Sequence, residues 1–282
     1  MNTVASILRK TATYKAFASQ SYRACPYIFL FLLSCHSGSG ETKKPTLVSL
    51  NPAATEMIYA LGAEDHLLAV SDYCDWPPQA RKLPKAGDLV KPNLEEIARL
   101  SPDYVIVFLP TQERLSCDLA KMGLETLDVS PESGEEVLLE IENLARILGV
   151  EEKGRALADS LRSEILSIEK PENPPTVFIE LGINPLYTAG AGTFPDDLVR
   201  LAGGRNLFSD TRGYFPIQEE EVLRRKPEII VLAHEEGPDP KNRMGWEGLG
   251  ARIVRADPDI ITRPGPRFIQ GVKALAEGFR NE

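Results

Sequence analysis

The chain has 282 residues, enough for two modest lobes, and 43% of them are hydrophobic, enough to build real cores. Its 41 acidic residues outnumber 32 basic ones, giving a net charge of −9. No basic run is dense enough for a phosphate backbone, so nucleic acid is disfavoured as a partner.

The N-terminus stands apart from the acidic body. Arg9, Lys10, Lys15 and Arg23 precede the apolar run Tyr27–Leu33, which is too short to span a bilayer but long enough for a signal-peptide core. Leu32-Leu33-Ser34-Cys35 then has an apolar residue, a small residue and a cysteine in the order of a bacterial lipoprotein cleavage site, and HSGSGETKKP follows with linker composition. We expect residues 1–35 to be a signal peptide, Cys35 to carry lipid at the membrane, and 36–45 to be a tether. A buried cysteine closing an ordinary helix is the competing reading. Beyond these, Cys74 and Cys117 form an even pair, which in an exported protein suggests one disulfide, or else two separate buried thiols.

A first lobe is expected over residues 46–148. Thr46–Leu50 reads as a short strand; Asn51 or Thr55 caps the helix that follows, and Gly62 ends it. Leu67–Tyr73 is a strand, Asn93-Leu94-Glu95-Glu96 opens a helix, and Asp103–Leu109 is a buried strand. Glu113–Gly123 is a helix, Thr126–Val129 a strand, and Ser133–Leu148 a helix. Strands alternating with helices imply a parallel, helix-covered sheet.

Residues 149–171 are expected to connect the lobes. In Glu151–Lys170 the residues Leu157, Leu161, Ile165 and Ile168 line one helical face, and Pro171 stops the run, so we read a stiff helical strut. The second lobe, 172–282, repeats the plan. It has strands at Thr176–Leu181, Glu228–Ala233 and Ile253–Ala256, and helices at Pro195–Ala202, Glu220–Arg225 and Arg267–Phe279. One unit occurs twice: NLEEIARLSPDYVIVF and QEEEVLRRKPEIIVL place Glu95 seven residues before Pro102 and Glu220 seven before Pro227. The macrodipole alone favours an acid in each first turn, and Asn93 with Glu96 makes a capping box. The other reading makes Glu95 and Glu220 matched acidic knobs, one per lobe, for basic pockets on a two-fold symmetric partner.

Ligands bind beyond the carboxyl ends of strands in open parallel sheets, so two such sheets would face each other across a cleft. Loops there are rich in rings and prolines, around Trp76, Tyr187 and Tyr214, and suit a large, partly apolar ligand or ordinary loop packing. Catalytic residues are not evident: G-x-S-x-G, H-E-x-x-H and P-loop patterns are missing, and Gly190-Ala191-Gly192 fails the dinucleotide fingerprint. The dispersed histidines, His36, His66 and His234, cannot form a His-rich metal site. His234 closes a strand and is read as a ligand contact at the cleft edge or a solvated strand end. Arg263 and Arg267, held by prolines, could read amide or carboxylate groups, although Arg267 reads equally as a surface residue.

From Pro45 onward the signatures SLNPAATE, SDYCDWPPQA, NLEEIARLSPDYVIV, LGINPLYTAG, LAGGRNLFSD and RPGPRF occur in order. Each is weak, but the series resembles the iron-siderophore and cobalamin binding family of periplasmic proteins in ABC importers. The resemblance implies an α/β fold of two Rossmann-like lobes joined by one long helix. It implies a small-molecule ligand between the lobes, no enzymatic activity and no resident cofactor. Glu95 and Glu220 would then dock arginines on a permease homodimer. Pro52, Trp76, Leu89, Tyr187, Tyr214, Asp259 and Arg263 would contact the ligand. The series as a whole makes cobalamin or another corrinoid the first expectation; Leu89 and Tyr214 stand where the family's cobalamin binders have tryptophan, which weighs against corrin specificity and keeps a cobinamide-like corrinoid, a ferric siderophore or haem as alternatives. An enzyme modifying a corrinoid or metal, and a sensory lipoprotein binding no small molecule, are the readings from other classes. A monomer anchored outside the cytoplasm completes the expectation.

Overall fold

The computed structural model describes residues 44–280 apart from 89, 90, 110, 236 and 247. The expected signal peptide, Cys35 and most of the tether lie outside the described residues.

The first lobe alternates strand and helix from β1 (Leu47–Ser49) through α1 (Pro52–Ala60), β2 (Leu67–Val70), α2 (Leu94–Leu100), β3 (Tyr104–Val107) and α3 (Glu113–Lys121) to β4 (Thr126–Asp128). Its strands pair in parallel in the order β2-β1-β3-β4. Alternation along the strands feeds two cores: Leu47, Val70 and Ile106 face α1, while Val48, Ala69, Val105 and Val107 pack with Ile97 and Leu119 from α2 and α3. Asn51, rather than Thr55, caps α1 by accepting from the amides of Ala53 and Ala54 at 2.9 and 3.3 Å. Only half of the expected capping box forms at α2. Asn93 accepts from the Glu96 amide at 3.1 Å, but the Glu96 carboxylate turns to Arg99.

Helices α4 (Gly134–Ile147) and α5 (Glu151–Leu166) form an antiparallel hairpin. A Cβ on Gly154 would meet the Ala145 Cβ at 2.3 Å, so glycine is what lets the two backbones approach. The expected lone strut is corrected on two counts. The helix ends at Leu166 with Ser167 as cap, before Pro171, giving a length of about 24 Å. It also lies against α4 along its length, because Ala158 and Leu161 need an apolar partner. Lys153 at one end donates to the Gly62 carbonyl of the first lobe, and Glu164 at the other pairs with Lys273 of the second.

The second lobe contains β5 (Thr176–Glu180), β6 (Gly182–Ile183), β7 (Leu186–Ala189), α6 (Phe194–Leu201), β8 (Arg205–Asn206), β9 (Tyr214–Pro216), α7 (Glu219–Arg225), β10 (Ile229–Leu232), β11 (Arg252–Arg255), α8 (Pro258–Thr262) and α9 (Phe268–Arg280). Its main sheet is parallel in the order β11-β10-β5-β8. A small antiparallel sheet β6-β7-β9 is added where the sequence reads as loop, through a tight turn at Asn184-Pro185. One apolar cluster runs from Leu47 in β1 through the α4–α5 hairpin to Phe279 in α9, so the lobes share a core on that side.

The duplicated unit is a structural repeat. Both α2 and α7 close on a left-handed residue before the proline, Ser101 at φ 45° and Lys226 at φ 51°. The acid that follows then locks the lobe's first strand. Asp103 Oδ2 accepts from the Thr46 amide and hydroxyl at 2.8 and 2.7 Å, and Glu228 Oε2 accepts from the Thr176 amide and hydroxyl at 2.6 and 2.8 Å.

The cysteine pair is not bridged. Cys74 is a buried free thiol beneath α1, accepting a hydrogen bond from the Thr55 hydroxyl at 3.1 Å, and burial pushes its pKa up. Cys117 lies on α3, which covers the opposite face of the sheet, so the strands stand between them.

Candidate functional site

The seam between the lobes is built from loops that leave the carboxyl ends of parallel strands. From the first lobe comes the segment after β2 that carries Asp75 and Trp76; from the second comes α8 with the following Arg263-Pro264-Gly265-Pro266-Arg267. This proline-rich segment lies directly on α1. A Cβ added to Gly265 would come within 3.1 Å of Glu56 Oε2 and 3.7 Å of the Ala53 Cα.

A cross-lobe ion cluster results. Arg267 donates from Nε and Nη2 to the two carboxylate oxygens of Glu56 at 2.8 and 2.7 Å, and its guanidinium carbon lies 4.6 Å from the centre of the Trp76 ring. The pair is deeply placed, with side-chain exposures of 14% and 3%. Beside it, Arg263 donates from Nη1 to Asp75 Oδ1 at 2.6 Å and pairs through Nη2 with Asp259 at 2.9 Å. Burial works against the Asp75 charge, but the bond to Arg263 and the charges of Arg263 and Arg81 outweigh it and hold the carboxyl below its ordinary range. The pair therefore stays ionised as pH falls until that lowered value is reached.

Three expected ligand contacts thus come together: Trp76, Asp259 and Arg263. Trp76 remains 43% exposed and borders a recess of about 450 Å³ with Tyr59, Glu56, Pro266 and Arg267. Of the two readings of Arg267, the structure has the carboxylate-binding one, but the carboxylate is Glu56 of the first lobe, which makes Arg267 a cross-lobe tie and not a surface residue. Glu56 is an addition that reading the sequence missed, because it sits among the apolar residues of α1 with its partner at the far end of the chain.

A second group lies on the small sheet. Tyr187 pairs with Pro216 and Tyr214 with Ala189, so the two phenols share one face, while Phe215 on the opposite face packs edge-to-face on Phe208. Burial first and the Glu132 carboxylate second push the Tyr214 phenol up to about 12, so it is a neutral donor throughout the physiological range. Burial and Glu136 raise the Glu132 carboxyl in turn, against the pull of Arg212. Tyr214 belongs to the second lobe and Glu132 to the segment entering α4, so this edge of the seam also couples the two sides. Pro52 opens α1, half-buried at the carboxyl end of β1. Leu89 lies outside the described residues.

His234 requires a correction. It does lie at the carboxyl edge of β10, but its Nε2 is 2.7 Å from Glu180 Oε1, and Arg243 holds the same carboxylate at 2.7 and 2.6 Å. Glu180 is fully buried and the His234 side chain is 9% exposed, so the imidazole is committed to an internal triad rather than offered to a ligand. Among the described residues no group of three or more His, Cys, Asp or Glu is placed to hold a metal ion.

The two repeated glutamates differ from their neighbours in one respect. Glu96 is taken by Arg99, Glu221 by Arg224 and Arg225, and Glu219 accepts from the Trp246 indole at 2.6 Å. Glu95 and Glu220 are exposed in the first turns of α2 and α7 and enter no hydrogen bond or ion pair among the described residues. Each lobe therefore presents one uncommitted carboxylate at the same place in its repeat.

The family described as periplasmic binding protein matches residues 47–262. A vitamin B12-binding protein of Photorhabdus laumondii subsp. laumondii is 31% identical over 254 residues, covering 88% of this chain and 92% of that protein. An uncharacterized ABC transporter substrate-binding lipoprotein of Bacillus subtilis, YvrC, is 32% identical over 258 residues, covering 85% of this chain and 80% of its own length. Among solved structures, the periplasmic vitamin B12 binding protein BtuF of Vibrio cholerae superposes with a TM-score of 0.72 at 28% identity, over 84% of this chain and 96% of that one.

Proposed function

The chain belongs to the periplasmic binding protein family, and from that premise we propose that the small molecule it carries is cobalamin or a related corrinoid. Its general role follows from the family: it is an extracytoplasmic substrate-binding protein of an ABC importer. What supports the ligand reading is that both lobes carry exposed or half-buried aromatic side chains and that amide-reading groups lie beside Trp76. Trp76 from one lobe and Tyr187 with Tyr214 from the other provide apolar faces for a macrocycle. Asp259 and Arg263 provide an acceptor and a donor suited to peripheral amides.

The mechanism is capture without covalent change. The relatives are transport proteins, and the same chemistry suits this chain: aromatic faces and hydrogen-bonding groups bind, and no bond needs to be made or broken. The shared core and the α4–α5 hairpin restrict hinge motion, so release falls to the docked permease, which would engage Glu95 and Glu220 and draw the lobes apart. Cys35 would carry the lipid that keeps the protein at the membrane, a reading supported by the residue order around it.

The test is to mix the purified protein with cobalamin, cobinamide, haem or a ferric siderophore, desalt, and record visible spectra. Cobalamin or cobinamide should remain with the protein and be recovered unaltered on denaturation. Retention of haem or the ferric siderophore alone would replace the corrinoid reading, and a chemically changed ligand would replace binding by catalysis.

A further inference from the structure

The two cross-lobe ion pairs lie side by side but are built differently. Glu56 and Arg267 share two hydrogen bonds, are almost wholly buried, and are covered by Trp76. Asp75 and Arg263 share a single bond of 2.6 Å, and the Asp75 side chain is 36% exposed, with Arg81 at 3.9 Å from its second oxygen. The first has the character of a fixed tie and the second of a contact that water or a ligand can reach. Arg263 is also the donor through which the proposed ligand would be held. Its Nη1 gives one N–H to Asp75 and its Nη2 pairs with Asp259, so the two acids fix the guanidinium's orientation, and a ligand acceptor that needs the N–H now on Asp75 must replace that carboxylate.

We propose that Asp75 is a releasable latch that sets ligand affinity: without ligand it holds Arg263 across the seam, and a ligand binds by replacing it with an acceptor of its own. This rests on the reading of Arg263 as a ligand contact. The latch favours molecules that present a carbonyl or carboxylate oxygen at that point, because any other gives up the bond to Asp75 without replacing it and leaves Arg263 only Asp259 at 2.9 Å and the more distant Glu56 at 4.0 Å. Glu56–Arg267 keeps the lobes in register while the neighbouring pair opens. Asp75 therefore acts as a specificity-determining residue in the ligand-free protein.

The experiment compares wild type with Asp75→Asn, Arg263→Gln and the double variant, using cobalamin as the probe. Asparagine keeps the size but not the charge, so Asp75→Asn should bind about fivefold tighter, as expected when most molecules are latched before binding, with the gain appearing in the association rate. Arg263→Gln should bind more weakly than wild type, and adding Asp75→Asn to it should give no further gain. Equal or weaker binding by Asp75→Asn alone would overturn the latch. A second readout needs no ligand. Backbone hydrogen exchange at residues 72–77 and 257–263 should quicken in Asp75→Asn while the sheet cores stay protected, and unchanged exchange there would overturn the proposal. If wild type binds no corrinoid yet exchange quickens at both segments, the latch stands and the corrinoid reading fails.

Discussion

Reversing both Glu95 and Glu220 to lysine is expected to abolish uptake while leaving ligand affinity unchanged. The two carboxylates occupy the same position in the repeated helix–proline–strand unit, one per lobe, and both are exposed while the acids beside them are bound to arginines or to Trp246. Such an arrangement suits a partner with two equivalent basic pockets, as the proposed permease homodimer would present. Close charge pairs at protein interfaces carry coupling energies of roughly 1.5–7 kcal/mol, so two reversals convert two attractions into two repulsions and should weaken docking by more than a hundredfold. Folding should suffer little, because an acid in a helix's first turn is worth only about 0.3–1 kcal/mol. Transport in permease-containing vesicles reads the effect, with ligand affinity of the isolated protein as the control. Full transport by the double variant would refute the docking role, and an equal loss of affinity would show that docking and binding are not separate.

Arg267→Ala should be the most destabilising single substitution at the seam, costing about 3–5 kcal/mol. The reason is the charge left behind: Glu56 is 4% exposed, and removing its bidentate partner strands a buried carboxylate. Trp76 also loses the guanidinium against its ring. Replacing both members, Glu56→Leu with Arg267→Leu, should recover much of the loss, because apolar residues of similar volume do not require the desolvation of two ions. Denaturant unfolding measures both. A cost below about 1 kcal/mol for Arg267→Ala would mean that water reaches Glu56 and that the tie is a surface pair.

The local features of the fold were legible because they depend on neighbours in sequence. Asn51 at the start of α1, the glycine after it, the alternation of β3 and β10, and the repeat around Pro102 and Pro227 all appear where turn chemistry and periodicity put them. What could not be read was pairing between distant residues. Glu56 and Arg267 are 211 positions apart, and nothing in the periodicity of α1 marks one acid on it as a partner for a residue after a proline turn. His234 was misread for the same reason: its position at a strand end was correct, but its partners Glu180 and Arg243 come from another strand and from a loop without period. The strut's apolar stripe correctly signalled a buried face, yet a stripe does not say what covers it, and the cover is α4. The small sheet around Tyr187 and Tyr214 escaped because two- and three-residue strands carry too few positions for alternation to show.

If one ligand is held by both lobes at once, the dissociation constants of cobalamin for Trp76→Ala and Tyr214→Ala, measured side by side, must both rise. Trp76 follows β2 of the first lobe and Tyr214 opens β9 of the second, and each is exposed. Loss of either aromatic face should raise the dissociation constant about tenfold, equivalent to ~1.4 kcal/mol. Weakening by one substitution with no change from the other would place the ligand on a single lobe and contradict the account.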